Sequence, residues 1–152
     1  MYSYINIDTY ELVSSEEQKE SESLIELDEN IAQAIVALNI RGYKTSNSCE
    51  GHYITEPDKE TAELLIKFEN LRFECASAPY IQFSDGIRLP SIPEGWEKEM
   101  SVESVCKNGE KINIYQECIR GVKSESSDQT PEEFYKNKMK ELASLYEWIE
   151  TL

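Results

Sequence analysis

The chain is short of positive charge. Of its 152 residues, 15 are Lys or Arg and 30 are Asp or Glu, for a formal net charge of −15. A protein that grips a phosphate backbone must neutralise it with cations, so nucleic acid is not an expected partner. The balance suits a small-molecule binder, a partner of basic proteins or a mimic of nucleic acid. Long apolar runs are missing too. No segment reaches the ~18 residues of a membrane span, so no membrane partner is expected. Met1-Tyr2-Ser3-Tyr4 lacks the basic and apolar regions of a signal peptide, which points to the cytoplasm, whether of a bacterium or of a host cell. No G-x-G-x-x-G is present, so a Rossmann-type nucleotide site has no support. The cysteines Cys49, Cys75, Cys106 and Cys118 lack paired C-x-x-C spacing and are expected as free thiols.

What is there suits one domain over 1–152, with 39% hydrophobic and 30% charged residues. Residues 2–13 alternate loosely and read as a strand or arm, and the acidic run 14–23 reads as a flexible surface segment. Asp28 is a helix N-cap, and Ile31, Ala34, Ile35 and Leu38 repeat at helical spacing. A helix over about 29–41 follows, closed by Gly42. Residues 43–49 read as a strand ending in an exposed turn, 62–73 as a strand, and Tyr80–Phe83 as a clearer one. Pro90, Pro93 and Gly95 make 88–95 an extended loop. Asn108-Gly109 sets a type I′ hairpin over 100–118, pairing Lys107 with Glu110 and Val102 with Tyr115. That register puts Cys106 and Cys118 on opposite faces. Residues 123–129 read as a polar linker.

Thr130-Pro131-Glu132-Glu133 is a capping box, and a long helix over about 131–151 follows it. Tyr135, Met139, Leu142, Tyr146 and Ile149 mark its apolar face, with Leu145, Trp148 and Leu152 beside it. The fold class is α+β: a mostly antiparallel sheet with an early helix and a long C-terminal helix packed on it.

The densest segment is Leu38-Asn39-x-x-Gly42-Tyr43-x-Thr45-x-x-Ser48-Cys49-x-Gly51-His52. It resembles a set of small uncharacterised proteins of Gram-positive bacteria and their phages that carry L-N-x-x-G-Y-x-T and then S-C-x-G-H. More distantly it is similar to the tRNA wybutosine-synthesis methyltransferase family, with its Tyr-x-Thr and Ser-Ser-Cys-Ser-Gly-Arg runs. Two departures stand out. His52 replaces the family's Arg and Glu50 its Ser, which weakens contact with phosphate. The resemblance therefore supports a site at 45–52 more than it supports tRNA methylation.

Three chemistries suit that site. Cys49 and His52 make a nucleophile and its base, although no acid is assigned to orient the ring. Cys49-x-x-His52 offers two metal ligands, which Cys75, Cys118 or Glu50 would complete, but structural zinc usually shows two such pairs. Ser46, Ser48 and the Gly51 backbone form a cradle for an anion. Arg88 and Arg120 are candidate anion contacts at strand ends. Trp96 offers an indole for stacking, and Phe83 a wall.

The preferred reading is a small ligand-binding domain for a nucleotide or a nucleotide-derived signal. Its site comprises Ser46, Ser48, Cys49, Glu50, Gly51, His52, Phe83, Arg88, Trp96 and Arg120. No metal and no cofactor are assigned, catalysis is left open, and a homo-oligomer is allowed. The alternative is an acidic interaction protein of phage type, a nucleic-acid mimic that blocks a basic protein surface. Glu16, Glu17, Glu20 and Glu22 would then carry the contact.

Overall fold

Apolar side chains three and four apart force one face of residues 29–40 inward, and that helix organises the rest. The computed structural model describes residues 2–6, 12–13, 24–53, 76–126 and 128–152. The strand expected at 62–73, the acidic run 14–23 and Cys75 lie outside the described residues.

The first elements are strands β1 (Tyr2–Asn6), β2 (Leu12–Val13) and β3 (Leu24–Asp28), which form a small antiparallel sheet in the order β2-β1-β3. Helix α1 (Glu29–Ile40) follows β3 directly and buries Ile31, Ala34, Ile35 and Leu38. Next come β4 (Thr45–Cys49) and β5 (His52–Tyr53), then β6 (Ala76–Ser77), β7 (Tyr80–Phe83), β8 (Trp96–Lys107) and β9 (Glu110–Gly121). A 3₁₀ turn at Lys123–Glu125 leads to the long helix α2 (Pro131–Glu150).

The main sheet has the order β4-β7-β9-β8, with every neighbour antiparallel. The class is α+β, as composition and spacing predict. The β8–β9 register follows the Asn108-Gly109 turn, with Lys107 facing Glu110 and Val102 facing Tyr115. Asn108 and Gly109 both have positive φ, 55° and 79°, as a type I′ turn requires.

Alternation along the strands sends Ile81, Phe83, Ile119 and Trp96 to one face, where they meet α1 and α2 in a single core. Truncating a fully buried member such as Leu38 to Ala costs about 2–5 kcal/mol.

Three expectations need correction. The hairpin begins at Trp96, so Trp96 is a strand residue rather than a loop indole. It is 4% exposed, and its Nε1–H donates to the Glu141 carbonyl at 2.9 Å. The described part of 123–129, residues 123–126 and 128–129, is anchored rather than a loose linker. Ser124 is fully buried, and Gln129 donates to the Ser124 and Ser126 carbonyls.

The third correction concerns α2, whose buried stripe sits beside the expected one. Phe134, Lys138, Glu141, Leu142, Leu145, Trp148 and Ile149 face inward, while Tyr135 and Met139 are exposed. Two charged residues in the stripe hide it from a hydropathy reading, and each has polar partners: Lys138 at the Gly51 carbonyl and Glu50, Glu141 at Ser124. Glu141 accepts from the Ser124 backbone N–H at 2.7 Å and from the Ser124 hydroxyl at 3.0 Å. Gly121 makes room for this carboxylate, since a Cβ there would overlap it.

Candidate functional site

The turn between β4 and β5 has no room for a side chain at its centre. Gly51 has φ +89°, and a Cβ on it would lie 2.9 Å from both the Pro79 nitrogen and the Ser77 carbonyl. Only glycine meets both demands without strain. The turn brings Cys49, the last residue of β4, close to His52, the first of β5. Pairing of Cys49 with Tyr80 and of His52 with Ser77 fixes both backbones.

A third side chain arrives from the end of β3. Asp28 stands at the N-cap position of α1, as expected, but its side chain does not cap the helix. Its Oδ2 accepts from the Glu50 backbone N–H at 3.0 Å and lies 3.2 Å from His52 Nε2. The cap is supplied from elsewhere: Glu50 Oε2 accepts from the Asn30 N–H at 2.9 Å. Asp28 is thereby released from the helix and turned toward Cys49 and His52. The Asp28 carboxylate, the Cys49 sulfur and a His52 ring nitrogen all lie within 4.8 Å of one another.

Behind this trio, α2 supplies a buried cation. Lys138 Nζ donates to the Gly51 carbonyl at 2.7 Å and lies 3.6 Å from Glu50 Oε1. Both side chains are largely buried, so the pair neutralises charge in a low-dielectric setting and pins the turn to α2. Tyr53 stacks against Phe134, with ring centroids 5.6 Å apart, and fixes the far side of the turn.

Burial raises the pKa of the Cys49 thiol above its ordinary value. The Gly51 N–H opposes this, while the negative charges of Asp28 and Glu50 add to it. Asp28 goes the other way. Burial pushes its carboxyl up, but hydrogen bonds from the Glu50 N–H and His52 outweigh that and hold it below its usual range. A thiol raised by burial and faced by carboxylates is a poor nucleophile, because the thiolate is the reactive form. Burial of Cys49 thus works against its thiolate, while Asp28 supplies the orienting acid missing from the sequence reading.

An anion fares no better. Glu50 N–H is taken by Asp28, Gly51 N–H by Cys49 Sγ at 3.5 Å, and Ser48 N–H by the Asn47 side chain at 2.9 Å. The backbone donors of an anion cradle are already used, the Ser46 hydroxyl faces the Gln82 carbonyl, and two carboxylates flank the turn.

Of the ten residues expected at the site, the turn gathers Cys49, Glu50, Gly51 and His52, with Ser48 next to them on β4. The other five lie elsewhere. Ser46 bonds the Gln82 carbonyl and Gln116, roughly 10 Å along β4 from Cys49. Phe83 is fully buried in the core and pairs with Thr45 at the far end of β4. Arg88 follows β7 beyond that end and donates to the Ile87 carbonyl. Trp96 is held on the core face. Arg120 is in the Cys49–Tyr80 row, one strand further on, and pairs with Glu125 at 2.9 Å. Glu16, Glu17, Glu20 and Glu22 lie outside the described residues.

Sequence reasoning missed Asp28 as a site residue and Lys138 as its support. No local pattern signals either one. A helix-capping Asp is ordinary, and a lysine within an apolar stripe reads as a break in the stripe.

A separate cleft of about 400 Å³ lies between the start of β8, the 3₁₀ turn and α2, lined in part by Glu94, Lys123, Lys140 and Ser144. Its buried acid, Glu141, is already satisfied by Ser124 and serves the fold. Among the described residues, no helix is long and apolar enough to cross a membrane. No family model, curated protein or solved structure matches the chain, so its function has to be read from the chemistry of the Asp28–Cys49–His52 cluster.

Proposed function

We propose that the chain is a small ligand-binding domain whose site lies at the β4–β5 turn. The observation that carries this reading is the convergence of Asp28, from the end of β3, on Cys49 and His52 at either side of the β4–β5 turn, with Asp28 turned away from the helix it would otherwise cap. Side chains released from local duty and grouped at an accessible edge are the usual form of a binding site. His52 keeps about half its side chain exposed, which gives a ligand access.

The group gathers a carboxylate, a thiol and an imidazole whose Nε2–H donates to Asp28; loss of the thiol and imidazole protons frees three donor atoms for an electrophilic ligand. Its ligand is therefore electropositive or a hydrogen-bond donor. A nucleotide would have to present its base or ribose here rather than its phosphate.

Native mass spectrometry of the full chain, purified without chelator, tests the reading. A bound mass that vanishes on denaturation, and is absent from His52→Ala and Asp28→Asn, is the expected result. A bound mass unchanged in both variants would place the ligand elsewhere.

A further inference from the structure

We infer that the ligand of this cluster is a divalent transition-metal ion of the zinc class, held by the Asp28 carboxylate, the Cys49 sulfur and His52 Nε2. The inference rests on the binding site proposed above and names what it takes.

Spacing supports it first. Zinc ligands sit ~2.0–2.3 Å from the ion, so in a tetrahedron they lie roughly 3.3–3.8 Å from each other. The three donor atoms already fall within 4.8 Å, with Asp28 Oδ2 and His52 Nε2 at 3.2 Å. Closing onto an ion asks for movements of about 1 Å or less, within the reach of side-chain torsions.

Donor type and charge support it next. A mixed sulfur, nitrogen and oxygen set suits zinc, whereas calcium and magnesium prefer oxygen alone. A thiolate and a carboxylate together cancel a divalent charge. Lys138 does not compete for that role, since Glu50 already neutralises it.

Support from outside the trio completes the case. The Glu50 N–H donates to Asp28 Oδ2 and fixes the carboxylate, as partners beyond the ligands do at metal sites. Glu50 also takes over the helix cap, so Asp28 can serve as a ligand without leaving the Asn30 N–H unpaired. Cys49-x-x-His52 alone is half a site, and Asp28 is the residue that changes the count. Three protein donors leave the fourth position to water or to a small solute, the arrangement of zinc sites that do more than hold a fold together.

Cobalt(II) is the probe, because its thiolate complexes absorb. The full chain under reducing conditions is titrated with cobalt, then with zinc. One cobalt per chain, with a sulfur-to-cobalt charge-transfer band that zinc abolishes, is expected. The band disappears in Cys49→Ser and persists in Cys118→Ser. His52→Ala and Asp28→Asn weaken binding at least tenfold while keeping the far-ultraviolet circular dichroism of the wild type.

No band in the wild type, or a band that survives Cys49→Ser, overturns the inference. If the wild type gives no band but carries an organic mass that His52→Ala loses, the metal is wrong and the ligand-binding reading stands. If neither cobalt nor an organic mass binds, both fall.

Discussion

Two polar clusters flank α2, and they differ in what they leave over. At Glu141, both carboxylate oxygens meet a donor from Ser124, and Gly121 gives them room. Acceptors and donors balance there, so the cluster is closed. At the β4–β5 turn, a carboxylate, a thiol and an imidazole of metal-ligating type face each other, and His52 is half exposed. The nearby cation, Lys138, is taken by Glu50 and the Gly51 carbonyl. A balanced buried cluster serves the fold. A cluster of metal-ligating groups at an accessible edge is open to an ion from solvent.

The sharpest way to break the contrast is at the lysine that supports the open cluster. Lys138→Ala leaves the Glu50 carboxylate largely buried without its cation, a change that costs roughly 3–5 kcal/mol. Urea denaturation reads it, and Glu50→Gln in the same chain recovers part of the loss. Gly51→Ala comes next. Its positive φ alone costs about 1–3 kcal/mol, before the contacts with Pro79 and Ser77 are counted. It also displaces His52, so metal binding falls more than stability does. Titration of the folded variant separates the two effects.

Glu141→Gln probes the closed cluster, with an effect on the order of 1 kcal/mol, the size of one net hydrogen bond. Burial raises the pKa of the Glu141 carboxyl. The Ser124 and Lys123 donors oppose this, and Glu125 adds to it. An acid that titrates higher in the fold than in the unfolded chain favours the fold below its ordinary value of 4.5 and loses that benefit as pH rises through its folded value. Thermal melts therefore show the wild type gaining on Glu141→Gln as pH drops from neutral to below 4.5. A difference independent of pH would contradict this. His52→Ala has the smallest effect on stability, under ~1 kcal/mol, because it removes only an exposed contact to Asp28.

Legibility in the sequence followed how local each interaction is. The Asn108-Gly109 hairpin, the Thr130 capping box and the α1 face were readable because partners lie within a few residues. The Cys49–His52 turn was readable for the same reason. Asp28 was not, because its role depends on Glu50, 22 residues away, taking over the cap. Leu142, Leu145, Trp148 and Ile149 of the buried α2 face are legible, whereas Lys138 and Glu141 are not, because their partners are 87 and 17 residues distant. Phe83 and Trp96 were grouped with the turn because an aromatic beside a strand end looks available. Strand alternation sends both to the core instead.

One measurement sets the two clusters against each other: the melting temperature of the full chain as zinc is added. Zinc at 100 times its dissociation constant stabilises a folded-state binder by ~2.7 kcal/mol, or roughly 5–10 °C for a chain of this size. The account predicts that rise in the wild type and in Glu141→Gln, and its absence in Asp28→Asn and His52→Ala. A wild type indifferent to zinc, or a rise that persists in both of those variants, would contradict it.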